Sequence, residues 1–147
     1  MKKELKTSLE IAYDLEIVSF HNGSKETEVE VLATCEEGSE TFTLSAPHNG
    51  EPYTEHDIND IITDLDLSTI EKWVDSTTVS FIASEVSNIC VNKSDNTQYY
   101  KFSIDTLNLV MVSILVFERF GRGIGKVIST YNATGEEQIK ELLNKLK

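Results

Sequence analysis

The chain has 147 residues, 39% of them apolar and 26% charged, a composition that excludes a disordered chain and fits one ordinary globular domain spanning residues 1–147. Its formal net charge is −12, and the whole excess lies in the first 66 residues, which hold 16 acids and 4 bases against 9 and 9 in the remainder. Such a field repels phosphate backbones and anionic lipid, so direct nucleic-acid binding is not expected, whereas a basic protein partner is.

The start Met1-Lys2-Lys3 is not followed by the apolar stretch of a signal peptide, and the longest apolar run, Leu107 to Phe117, is too short for a bilayer. These features point to a cytoplasmic protein with no membrane association. Two cysteines, Cys35 and Cys90, are too few for a disulfide framework or a structural zinc site. Each falls in an apolar alternation and is expected to be a buried thiol.

The pattern predicts an α+β fold. Leu9, Ile11, Tyr13, Leu15 and Ile17 alternate with Ser8, Glu10, Ala12, Asp14 and Glu16, which predicts a strand over 8–20 with one buried face. After the turn His21-Asn22-Gly23-Ser24, Val29, Val31, Ala33 and Cys35 alternate with Glu28, Glu30, Leu32 and Thr34. Glu36-Glu37-Gly38-Ser39 turns the chain again, and Phe42, Leu44 and Ala46 alternate with hydroxyl residues. Three strands on short turns predict an antiparallel meander. Its solvent face would gather Glu10, Asp14, Glu16, Glu28 and Glu30, an arrangement that like-charge repulsion disfavours unless the face is used.

Pro47 to Tyr53 reads as a loop. Thr54 then opens a helix with Ile58, Ile61, Ile62 and Leu65 on one side and Asp57, Asp60 and Asp64 on the other. Ser68-Thr69-Ile70-Glu71 is a capping box for a short second helix that buries Ile70, Trp73 and Val74. From Thr77 the alternation of Val79, Phe81 and Ala83, followed by Ile89 and Val91, predicts a strand. Lys93-Ser94-Asp95-Asn96 makes it one arm of a hairpin whose other arm holds Tyr100, Phe102 and Ile104. Asp105 can cap a buried apolar helix running to Phe120 and stopped by Gly121, with a buried strand as the alternative. Residues 126–131 read as a short strand. Thr134 with Glu137 caps a last amphipathic helix carrying Ile139, Leu142, Leu143 and Leu146.

One segment has the composition of a ligand loop. Gly121, Arg122, Gly123, Gly125 and Lys126, with Arg119 just before them, could let backbone amides and cations approach an anion. The spacing matches neither standard phosphate motif. Phe120 stands where a P-loop needs glycine, Val127 stands where it needs Ser or Thr, and the G-x-G-x-G run precedes a strand and not a helix. The histidines His21, His48 and His56 do not converge by spacing, no nucleophile elbow occurs, and no metal or cofactor is expected. The stripe Asp57, Asp60, Asp64 reads as a solvated helix face. Tyr99 and Tyr100 point to opposite sides of a strand, so one of them is available to a partner.

The function these features favour is a non-enzymatic acidic interaction module for a basic, nucleic-acid-handling protein, in the manner of an inhibitor, decoy or immunity protein. Its contact set would be Glu10, Asp14, Glu16, Glu28, Glu30, Asp57, Asp60 and Asp64. The alternatives are a small-ligand or nucleotide site on the glycine-rich loop, and a subunit of a larger or homo-oligomeric assembly.

Overall fold

A computed structural model describes residues 2–47, 53–54, 60–120 and 122–147. Among them run β1 (Lys2–Lys6), β2 (Ala12–Asn22), β3 (Glu26–Cys35), β4 (Gly38–Pro47), a 3-10 helix (Asp60–Asp64), α1 (Ser68–Lys93), β5 (Gln98–Asp105), β6 (Met111–Phe120), β7 (Gly123–Thr134) and α2 (Glu136–Leu146). The fold is α+β, with one antiparallel sheet in the order β1-β2-β3-β4 and another in the order β5-β6-β7. Two compact units divide the chain. The first takes 1–7 and 12–78, and the second takes 8–11 and 79–147.

In the first unit, Tyr13, Leu15, Val29, Val31, Ala33 and Ala46 are buried on one face of the sheet. Phe42 shares that face through its pairing with Val31, and its ring meets Trp73 of α1 edge-on at 5.7 Å. The buried Thr27 hydroxyl donates to the Asn22 side chain at 2.6 Å, which satisfies a polar group that burial would otherwise penalise. At the tip of the β3–β4 hairpin the Glu37 carboxylate accepts a 3.0 Å hydrogen bond from the buried Thr78 hydroxyl.

In the second unit, Val110, Val112, Ile114 and Val116 alternate inward. They meet a core that includes Ile82, Val86 and Ile89 of α1 and Ile139, Leu142 and Leu143 of α2. α2 packs along β7.

Several features depart from the sequence reading. Over its described residues the helix expected from Thr54 is a short 3-10 helix, Asp60–Asp64, and the short strand expected over 126–131 is the 12-residue β7. The expected first strand begins at Ala12, not Ser8, and pairs with an additional strand β1. Glu10 sits in the connection between them with a left-handed backbone, φ 59°. The short second helix and the expected strand over 79–91 are a single 26-residue helix, α1. Its buried positions Ile70, Val74, Thr78, Ile82, Val86 and Cys90 recur every four residues. At 3.6 residues per turn a four-residue spacing drifts by about 40° per step, so the stripe winds around the helix. The residues that alternate in sequence, Val79, Phe81 and Ala83, are partly or largely exposed.

Of the apolar segment expected as a helix up to Phe120, residues 111–120 form strand β6 in the middle of a three-stranded meander, and the β5 arm pairs with it and not with 79–91. β-Branched residues at 110, 112, 114 and 116 favour the pleated geometry and fill one face. Finally, the N-cap of α2 is Gly135 and not Thr134. The Gln138 side chain accepts a 3.0 Å bond from the Thr134 backbone N–H.

Candidate functional site: an acidic sheet face

The face of the β1–β4 sheet opposite its packed side is built in rows by strand register. Glu4, Asp14, Thr34 and Ser39 form one row, and Lys2, Glu16, Leu32 and Thr41 the next. Ser19, Glu30 and Thr43 follow, then His21, Glu28 and Ser45, with Glu26 beyond them beside Pro47. Neighbours in a row stand about 5 Å apart, and successive rows about 7 Å apart.

This ordering depends on an irregularity that strict alternation hides. Register shifts between Ile17 and Ser19, so Val18 is an extra residue in β2. Past it, Phe20 pairs with Val29 on the packed face, while Ser19 and His21 face solvent beside Glu30 and Glu28. Without the bulge Val18 and Phe20 would interrupt the acidic surface.

Four of the residues singled out in the sequence, Asp14, Glu16, Glu28 and Glu30, thus share one face, and Glu4 and Glu26 join them. Glu26, Glu28 and Glu30 are exposed, and Asp14 and Glu16 are half-buried. None of these carboxylates makes an ion pair with a described residue; the Lys147–Glu85 pair, at 3.2 Å, lies in the second unit. Glu30 accepts a 3.3 Å bond from the Ser19 hydroxyl. Hydroxyl groups at Ser39, Thr41, Thr43 and Ser45 line the β4 side of the face.

The remaining acids of the expected contact set do not join it. Glu10 lies in the β1–β2 connection. Asp57 and His56 fall outside the described residues, as does His48. Asp60 and Asp64 belong to a 3-10 helix whose Ile61 and Ile62 are buried. The Asp64 carboxylate accepts a 3.0 Å bond from the Tyr53 hydroxyl and so holds that phenol above its ordinary pKa. The Tyr53 carbonyl accepts from Asn22, a residue on the packed-face register of β2 beside Thr27. Asp64 is therefore tied, through Tyr53, to the packed-face side of β2, and Asp60 belongs to the same short helix.

The glycine-rich segment does not assemble as an anion cradle. Gly123 and Gly125 are strand residues of β7, with Gly123 paired to Phe120 and Ile124 to Arg119. Gly121 lies outside the described residues. Arg122 and Lys126 are exposed. The Arg119 guanidinium is engaged elsewhere: it donates to the Asp95 carbonyl at 3.0 Å and lies 5.2 Å above the Tyr99 ring. The Asp95 carboxylate receives the Thr97 N–H and hydroxyl and the Gln98 N–H, bonds that hold its pKa below the ordinary range.

Among the described residues no group of three His, Cys, Asp or Glu side chains is placed to hold a metal ion, and no helix is long and apolar enough to cross a membrane. Cys35 and Cys90 are free, buried thiols, and burial pushes both pKa values up, so neither has the character of a reactive thiolate. No protein-family model matches the chain, and no curated protein or solved structure does so either.

Proposed function

We propose that this chain is a non-enzymatic interaction module that presents the open face of its β1–β4 sheet to a basic protein surface. The supporting observation is the register that lines up Asp14, Glu16, Glu28 and Glu30 on one face without ion-pair partners among the described residues. The register sets Glu4 directly opposite Asp14, a like-charge pair that costs stability, and a complementary cationic surface relieves that cost on binding. The flanking Ser and Thr hydroxyls supply hydrogen bonds around the charged centre, in the manner of a polar rim. A face of this kind suits a protein that covers the phosphate-binding surface of a nucleic-acid-handling partner, as an inhibitor, decoy or immunity-type protein does.

The test is a pull-down from the native lysate with tagged wild type and with the Glu28→Lys/Glu30→Lys variant, washed at low and at high salt. A basic partner held by wild type at low salt, weakened at high salt and absent from the variant is the expected result. A partner retained equally by the variant, or no basic partner at low salt, overturns the proposal.

A further inference from the structure

The second unit holds a cleft of about 390 Å³ between the C-terminal part of α1 and strand β5. Cys90 and Val91 line it from the helix, Ser94 from the turn just after it, and Tyr99, Lys101 and Phe102 from the strand, with Arg119 also lining it. β5 is an edge strand, because the sheet order is β5-β6-β7.

Its hydrogen bonds fix which backbone groups face the cleft. The Tyr100 N–H donates not to β6 but to the Ser94 hydroxyl oxygen, at 2.9 Å, so it points away from β6. The Gln98 N–H and carbonyl point the same way, bonded to the Asp95 carboxylate and Asp95 N–H. Antiparallel pairing alternates outward and inward residues, so the N–H and C=O of Phe102 and Ile104 also face outward. The α1–β5 turn closes the first half of this edge. Nothing among the described residues bonds to the outward groups of the second half.

The chemistry beside the open edge differs on its two sides. On one side Phe102 and the largely exposed Val91 offer apolar surface. On the other, Lys101 is exposed and the Arg119 guanidinium, pinned over Tyr99, keeps donors in reserve. Among the described residues no acid lines the cleft. The carboxylates that flank β5 are already engaged with backbone N–H groups, Asp95 at Thr97 and Gln98, and Asp105 at Leu107.

From this geometry we infer that the open edge of β5 is a docking site for an extended peptide segment of a partner protein, one that alternates apolar and acidic side chains. The segment adds as a fourth strand beside β5 and bonds through its backbone to Phe102 and Ile104. Its alternate residues divide between the two sides, apolar ones toward Phe102 and Val91 and carboxylates toward Lys101 and Arg119. This site is separate from the acidic face and does not depend on the reading proposed for it.

The experiment uses the full chain and the fluorescein-labelled heptapeptide Thr-Val-Glu-Val-Glu-Val-Thr. Fluorescence anisotropy should show saturable binding, weakened about tenfold or more by Lys101→Glu, a change of roughly 1.4 kcal/mol or more. Val91→Lys, also at an exposed position, should weaken it as well. The same peptide with Lys for Glu, or with Pro for its central Val, should not bind. Amide hydrogen exchange should slow at Phe102 and Ile104 on adding the peptide. No binding up to about millimolar peptide, affinity unchanged by both substitutions, or unaltered exchange at Phe102 and Ile104 overturns the inference. So does a dimer in light scattering that Lys101→Glu dissociates while the peptide fails to bind, since the edge then serves a second copy.

Discussion

Thr78, buried in the middle of α1, donates its hydroxyl to the carboxylate of Glu37 at the tip of the β3–β4 hairpin, at 3.0 Å. It is the polar member of an otherwise apolar stripe, and this bond fixes the hairpin against the helix within the first unit. Thr78→Val keeps the shape but strips Glu37 of that partner. The loss should be about 1–3 kcal/mol in urea unfolding, as for a hydrogen bond to a charged group. The double variant Thr78→Val/Glu37→Gln should lose less than the two separate losses added together.

Tyr13 gives the fold an alkaline limit. Burial, and then the carboxylates of Glu71 and Asp75, push its hydroxyl up to about 12 from an ordinary value near 10. Because the folded pKa lies above the unfolded one, this group's contribution is intact below about pH 10 and is lost as the pH rises toward about 12. The loss should reach roughly 2–3 kcal/mol across that window. Tyr13→Phe should match wild type near pH 7 and lose less stability at pH 11, read by denaturant midpoints at both pH values.

Ile114 is fully buried on β6 between Phe102 and Tyr131 in register. Ile114→Val should cost about 0.5–1.5 kcal/mol and Ile114→Ala about 2–5 kcal/mol. Leu107→Ala, at a largely exposed position, should be close to neutral in the same unfolding assay. The contrast separates the strand described here from the helix that the bare composition suggests, in which Leu107 would be a core residue.

Gly125 lies against an aromatic ring. A Cβ built there would stand 2.7 Å from Cε2 of Phe120, a mostly exposed ring that can swing aside, and 3.3 Å from the Glu118 carbonyl oxygen. Gly125→Ala should therefore cost under about 1 kcal/mol. In a Phe120→Ala background the same change should cost less, since only the 3.3 Å approach to the Glu118 carbonyl then remains. Thermal unfolding of the four proteins of this cycle gives the answer.

Charge reversal on the acidic face should leave the fold intact. Glu28→Lys/Glu30→Lys places cations among Asp14, Glu16, Glu26 and Glu4, so cross-strand repulsion falls. Stability at low salt should equal or exceed wild type by up to about 1 kcal/mol, a difference that salt removes. This check is independent of whether a partner is found.

The α+β class, the N-terminal meander and four of the face acids were legible because alternation in β3 and β4 is regular. The bulge at Val18 was not, since one extra residue leaves no mark in composition. α1 was obscured for two reasons. A polar Thr78 breaks the apolar stripe at its centre, and the four-residue spacing winds around the helix and cancels its amphipathic signal. β6 was ambiguous because apolar residues occupy both of its faces, where neither period stands out. Arg119 looked available as an anion ligand because its real partners, the Asp95 carbonyl and the Tyr99 ring, lie 24 and 20 residues earlier.

The long edge strand β7 bears Ile124, Val127 and Ile128 in the open, a surface of the kind that zips identical chains together. At neutral pH each molecule carries a net −12, and that mutual repulsion holds such edges apart in concentrated solution. The carboxylates therefore double as a colloidal stabiliser. Cancelling that net charge would remove the barrier that keeps one molecule's β7 from meeting another's.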